Sequence, residues 1–247
     1  DALIPSDPMT LFLQNALLVH KDAPDEVSTS PYWAQFLKQK AKLDKEFIEF
    51  SVRFKFRSVY FVLERESRIA YSTRQGIELG TSLSAGPHQD SNLAAAIRSA
   101  QKLPAGEVTF EDFEPFLPAL GRPTAFLASP VFKGEKRLGV VAFEIPVTRV
   151  NDTMTSNQSW REVGLGESGE AYLVGDDFLL RNQSRFLIED RDQYLEMIRE
   201  IGTPEETVRL IASQNNSIGL QKVDTVGTRA ALRGEADTKI FADYRGV

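Results

Sequence analysis

The chain has 247 residues, 42% of them hydrophobic and 26% charged, which is the composition of a soluble globular protein with a core of its own. A formal net charge of -6 without any clustered Lys/Arg run argues against a nucleic-acid partner, and the absence of cysteine removes disulfides, thiolate metal sites and thiol nucleophiles. No stretch reaches the roughly 20 apolar residues that span a bilayer, and no charged-then-apolar leader opens the sequence.

In chain order, Met9, Leu13, Ala16, Leu17 and His20 fall on one helical face, and a Pro/Asp/Ser-rich stretch from Lys21 to Ser30 ends that run. Ser30 as N-cap and Pro31 at the first helical position open a second, longer helix. Phe36, Leu43, Phe47, Phe50 and Phe54 make an aromatic stripe along it, which reads as packing against a sheet. Val59 to Leu63, a charged turn and Ile69 to Thr73 predict a β-hairpin. A glycine-rich loop from Gly76 to Pro87 leads to Asp90 or Ser91 as N-cap of a short helix with Leu93, Ala96, Ile97 and Ala100 inward. Three strands follow, over 107–113, 122–133 and 137–147. The last two are nearly continuous in apolar residues and so are expected to be covered on both faces.

A faint internal repeat runs hairpin, helix, strand. Tyr60 to Leu63 with Ile69 to Ser72 is echoed by Ala171 to Val174 with Phe178 to Arg181. Leu93 to Arg98 with Glu107 to Phe113 is echoed by Arg229 to Arg233 with Asp237 to Tyr244. Two further helices are inserted in the second half, one over 190–201 and one opened by a capping box at Thr203-Pro204-Glu205-Glu206. Counted this way, the second half stands two strands short of a complete sheet, and the natural protein is expected to continue beyond Val247 through those strands into a transmembrane helix.

Gly164-Leu165-Gly166-Glu167-Ser168-Gly169 has the spacing of a dinucleotide fingerprint. That motif needs a preceding strand and a following helix, and a polar run precedes it here while a strand-like run follows. There is no serine-hydrolase elbow, and His20 and His88 have no orienting acid or second imidazole nearby in sequence. His88 reads as a loop residue. No catalytic residue, metal site or cofactor is therefore assigned.

Asp112 and Glu144 differ because each interrupts an apolar strand. Alternation places Phe110, Asp112 and Glu114 on one face, and Val140, Ala142 and Glu144 on one face. Coinciding faces would bring two carboxylates together beneath the glycine-rich loop, where they suit an ammonium group. The alternative is that either acid sits at a strand end in solvent.

The run GLGESGEAYLVGDDFLLRNQSRF at Gly164 to Phe186, with IAYSTRQGIELGTSLSAGPHQDSNLAAAIR, FEDFEPFLP and GVVAFEIPVTRVNDTM, resembles the double Cache sensor domains of bacterial chemoreceptors, sensor histidine kinases, nucleotide cyclases and phosphatases. The resemblance covers residues 32–247. It implies an α/β (α+β) fold: an N-terminal helical segment (1–51), a membrane-distal, ligand-binding PAS-like unit (52–150) and a membrane-proximal PAS-like unit (151–247), incomplete here, with antiparallel sheets. It further implies a periplasmic sensing region of an inner-membrane receptor, itself no enzyme although the full-length protein could carry a cytoplasmic signalling enzyme. The region would be anchored by segments outside this chain and would allow a homodimer. In the amino-acid-binding members a Tyr/Arg/Trp/Tyr cluster is paired with two acids on strands. Asp112 and Glu144 stand where those acids fall, but the loop Tyr71-Ser72-Thr73-Arg74-Gln75 has no tryptophan, which points away from an amino acid. The expected ligand contacts are Tyr71, Arg74, Asp112, Ser129 and Glu144, and the expected partner is a small polar ligand (an amine, a carboxylate or an amino-acid-like compound). The other reading is a periplasmic interaction or scaffold domain that binds no ligand.

Overall fold

The computed structural model describes residues 5–246, and the chain divides after Pro146 into two compact units. Residues 1–4 and Val247, at the outer ends of the expected segments, lie outside the described residues.

The first unit opens with α1 (Pro8–Gln14), continued by a π-helical turn, Asn15–Val19. Asp7 caps α1 by accepting from the Thr10 N–H at 2.8 Å, and Pro8 needs no donor at the first helical position. Leu13, Ala16 and Leu17 are buried as the spacing predicts, but Met9 and His20 are exposed. The π turn explains His20, because a wider turn carries the residues after it out of the 3.6-residue phase.

Helix α2 (Pro31–Phe54) is the long helix expected, although the Ser30 hydroxyl makes no cap bond. Its stripe is only half covered. Phe36, Leu43 and Phe47 are half-buried, and Phe50 is 38% exposed. The covered side meets ring edges on the sheet, Phe47 lying 5.7 Å from Tyr71 and Phe50 5.4 Å from Phe143 between ring centroids. The α2 residues Ile48, Val52 and Phe54 remain exposed.

Strands β1 (Ser58–Leu63), β2 (Ile69–Ser72), β3 (Thr109–Phe116), β4 (Arg122–Lys133) and β5 (Lys136–Pro146) form one antiparallel sheet in the PAS-like order β2-β1-β5-β4-β3. Gly139 on β5 leaves no room for a side chain, since a Cβ there would run into the Val62 carbonyl oxygen of β1. Strand β3 runs past the expected Phe113 because a bulge between Glu111 and Glu114 absorbs the extra residue and lets pairing resume at Glu114.

Helix α3 (Asn92–Ala100), capped by Ser91, covers the front of the sheet. Leu93, Ala96, Ile97 and Ala100 are fully buried against a core that includes Tyr60, Val62, Phe126, Ala128, Val140 and Ala142. Burying a side chain the size of Leu93 or Ile97 contributes about 1.5–3 kcal/mol. Truncating Ile97 to Ala would remove about 2–5 kcal/mol, so this face anchors the unit.

The second unit contains α4 (Val147–Met154), α5 (Arg185–Glu189), α6 (Arg191–Glu200), α7 (Glu205–Gln214) and α8 (Val226–Leu232). Leu180, Leu187, Tyr194, Leu195, Ile198, Val208, Ile211, Val223 and Tyr244 make its core. The expected turn at Gly175–Asp177 forms, closed by the Phe178 N–H on the Gly175 carbonyl at 2.9 Å. Its arms make an isolated bridge, Val174 to Leu180, and Leu179 bridges Lys222; among the described residues this unit has no ladder strand. The run Asp237 to Ala242 is exposed and irregular, since no neighbouring segment offers it a ladder. The capping box expected at Thr203 does not form: Pro204 is the N-cap of α7 and has no hydroxyl to accept a bond. Thr225 and Thr228 form such a box on α8 instead. The glycine run 164–169 lies in turns, with neither strand before nor helix after.

Candidate functional site: buried carboxylates beneath the glycine-rich loop

Register decides which side chains share a face. Ser58 opposes Glu144, which opposes Phe126, which opposes Glu111, so these four point to the front of the sheet. Tyr60 opposes Ala142 and Ser72 and shares that side. The row Tyr71, Phe61, Val141 and Ser129 points to the back. Two of the expected contacts, Tyr71 and Ser129, therefore stand on the face opposite Glu144. The Tyr71 hydroxyl donates to Asp44 Oδ1 of α2 at 2.9 Å, and the Ser129 hydroxyl donates to the Glu107 carbonyl at 2.7 Å.

Asp112 falls in the β3 bulge, so the alternation predicted for Phe110, Asp112 and Glu114 breaks down there. Its Oδ1 accepts from the Phe113 N–H at 2.7 Å, and its backbone carbonyl accepts from Asn92 Nδ2 at 3.0 Å. Glu111, before the bulge, takes the register position in line with Glu144. Arg74 is exposed, yet its charge favours the ionised forms of both Glu78 and Glu144.

Around Glu144 the structure assembles a cluster that the sequence left unassigned. Glu144, Glu78 and Tyr60 are each 2% exposed. The Tyr60 hydroxyl donates to Glu144 Oε2 at 2.7 Å, and Arg57 Nε lies 3.3 Å from Glu144 Oε1. Glu78 comes from the loop, where its Oε1 accepts from the Ser72 hydroxyl at 3.1 Å and the Gly76 N–H at 3.3 Å. Gly76 is bare for a reason: a Cβ there would lie 2.2 Å from Glu78 Oε2. Asn92, at the start of α3, spends its amide nitrogen on the carbonyls of Thr124, at 2.6 Å, and Asp112.

Burial pushes both Glu78 and Glu144 above the usual carboxylate range. The Ser72 and Gly76 bonds oppose it at Glu78, while the Tyr60 bond and the Arg57 charge oppose it at Glu144. Glu78 in turn raises Glu144 through like charge. Three buried acceptors, Glu78 Oε2, Glu144 Oε1 and Asn92 Oδ1, have no hydrogen-bond donor among the described residues. An orphaned buried acceptor costs about 1–3 kcal/mol, more when charged, so three on one side of a sheet are an arrangement that donors would stabilise.

Glu78 sits between Ile77 and Leu79 within a loop bounded by Gly76 and Gly80, a lone acid among apolar neighbours, and that was its only signal in the sequence. Asn92 was hidden by its place beside the N-cap. His88 lies in a turn of the loop, as expected, and is buried there, which lowers its imidazole below the usual value.

No protein-family model matches the sequence, and no curated protein matches it. Among solved structures, similarity is found to the sensor domain of the V. cholerae histidine kinase DctB (15% identity, TM-score 0.35, 48% of this chain and 42% of that one). It is also found to the ligand-binding domain of the Pseudomonas fluorescens chemoreceptor CtaA in complex with L-serine (14% identity, TM-score 0.38, 70% and 64%). A third is the ligand-binding domain of the Pseudomonas aeruginosa amino-acid chemoreceptor PctB in complex with L-Gln (18% identity, TM-score 0.41, 75% and 66%). The chain spans less than two thirds of the length of each of these domains.

Proposed function

We propose that this chain is the extracytoplasmic sensing region of a transmembrane receptor, and that its first unit binds a small ligand through an ammonium or similar nitrogen cation. The observation that carries the reading is the set of buried, donor-less acceptors Glu78 Oε2, Glu144 Oε1 and Asn92 Oδ1 on the α3 side of a PAS-like sheet. A nitrogen cation supplies three or more N–H donors and adds a second positive charge to that of Arg57 for the two buried carboxylates. A carboxylate ligand fits less well, because Arg57 is already engaged by Glu144. The motif resemblance of the glycine-rich loop and of Gly164 to Phe186 supports the receptor setting.

A second reading, an interaction domain whose ligand space is filled, draws on the aromatic packing in front of the sheet. There Phe116 meets Phe126 edge-on at 5.1 Å and Tyr60 caps Glu144. A thermal-shift screen of amines, carboxylates and amino acids separates the two, because binding to the native state raises the melting temperature by mass action. Amines are expected to raise it and carboxylates are not. No rise with any member of the screen would favour the filled interior.

A further inference from the structure

The two carboxylates are mounted differently. Glu144 lies within β5, laddered on one side to β1 and on the other to β4. Glu78 lies in an irregular loop, and the carbonyls that flank it are taken by side chains of the N-terminal helix. Gln14 Nε2 donates to the Ile77 carbonyl at 2.7 Å and to the Leu79 carbonyl at 3.0 Å, straddling Glu78. Thr10 Oγ1 donates to the Gly80 carbonyl at 2.7 Å.

The other end of the loop is tied to both helices through Gln75. Its backbone N–H donates to Ser72 Oγ at 3.2 Å, the same hydroxyl that holds Glu78. Its side-chain amide lies between the Leu17 carbonyl in the π turn and Lys40 Nζ of α2, and the amide orientation that satisfies both has the nitrogen donating to Leu17 at 3.1 Å and the oxygen accepting from Lys40 at 2.7 Å. Lys40 is also paired with Asp44 at 2.6 Å.

We infer that residues 75–80 are the transmitting element of the unit, coupling occupancy at Glu78 and Glu144 to the positions of α1 and α2. The inference rests on reading the carboxylate pair as the ligand site. A cation between the two acids draws them together, and the sheet-borne partner cannot yield, so Glu78 and its loop move. Each hydrogen bond from Gln14 and Gln75 then carries that displacement into α1, its π turn and α2. A π turn is a suitable receiver, because its wider hydrogen-bonded ring is an irregularity that already departs from the α-helical ladder. Loops with few ladder bonds lie at the low-stability end of a fold and shift before a sheet does.

The test is hydrogen exchange followed by mass spectrometry on the whole chain, with the charge at the site changed by substitution rather than by ligand. Glu78→Gln removes the repulsion between the acids without enlarging the side chain. Exchange in peptides covering 8–19 and 36–47 is expected to change by about threefold or more, with β4 and β5 unmoved. The same substitution in a Gln14→Ala/Gln75→Ala background is expected to leave both helices as they were. A response confined to residues 72–80, or one that persists undiminished in that background, would overturn the inference. Should Glu78→Gln not fold, Ser72→Ala cuts the hydroxyl shared by Glu78 and Gln75, and the same outcomes decide. Because no ligand is added, failure of amines to bind would strike the site reading alone.

Discussion

Tyr60 on β1 and Glu144 on β5 are diagonal neighbours on the front of the sheet, with the phenol hydroxyl 2.7 Å from Glu144 Oε2. Desolvation, with the charges of Glu144 and Glu78 second to it, holds the Tyr60 phenol far above its usual range, so it stays a donor at any physiological pH. One Glu144 oxygen is therefore satisfied by the fold, and the other is left beside Arg57 without a hydrogen bond.

That arrangement fixes a pH dependence. Burial raises Glu78 and Glu144 in the folded chain above 4.5, so the folded state holds their protons more tightly than the unfolded state does. The sign follows: their contribution to stability falls as pH rises from about 4.5 through the folded values. Urea unfolding of Glu144→Gln, measured from pH 4.5 to 7.5 beside the parent, should show a smaller fall. Parallel curves would contradict the assignment.

Tyr71→Phe removes the bond to Asp44 on α2 and should cost about 1 kcal/mol in urea unfolding. Because Tyr71 points to the back of the sheet, amine affinity should be unchanged. A loss of affinity larger than the loss of stability would place Tyr71 in the site.

Gly76→Ala sets a methyl group where Glu78 Oε2 now lies. The carboxylate must leave its position, at a cost of about 1–3 kcal/mol. The thermal response to amines should vanish while far-ultraviolet circular dichroism stays that of the parent. A retained response would show that Glu78 does not contribute.

In the second unit the Tyr244 hydroxyl donates to Glu170 Oε2 at 2.8 Å and lies 2.8 Å from Ser184 Oγ. Tyr244→Phe takes a donor from a half-buried carboxylate oxygen, and about 1 kcal/mol of stability should be lost. Glu170, already raised by burial, should rise further, observable by NMR titration of its carboxyl carbon. An unchanged titration would mean that water replaces the phenol.

The periodic elements were legible because period and capping are local: the bounds of β4 were read from its apolar run and turn, and the four inward residues of α3 from i, i+3, i+4 spacing. The site was legible only in part. Glu144 stood out as an acid in an apolar strand, but strict alternation failed at Asp112, since a bulge costs no sequence signal. Tyr71 and Ser129 stand out in the sequence as polar side chains on apolar strands, whereas the strand registers turn them to α2's side of the sheet. Glu78 and Asn92 came to light only through their unpaired atoms, a property of packing rather than of sequence.

The most direct test is calorimetric titration of a simple primary amine, ethylamine, into the chain and into Glu78→Gln and Glu144→Gln, in two buffers of different ionisation enthalpy. Burial favours the protonated form of both acids and a bound cation favours the ionised form, so binding in the mildly acidic range above their usual value displaces protons. Saturable binding with net proton release is predicted, with both lost or sharply reduced in each variant. Binding of equal strength in all three proteins, or binding without proton release, would contradict the site at Glu78 and Glu144.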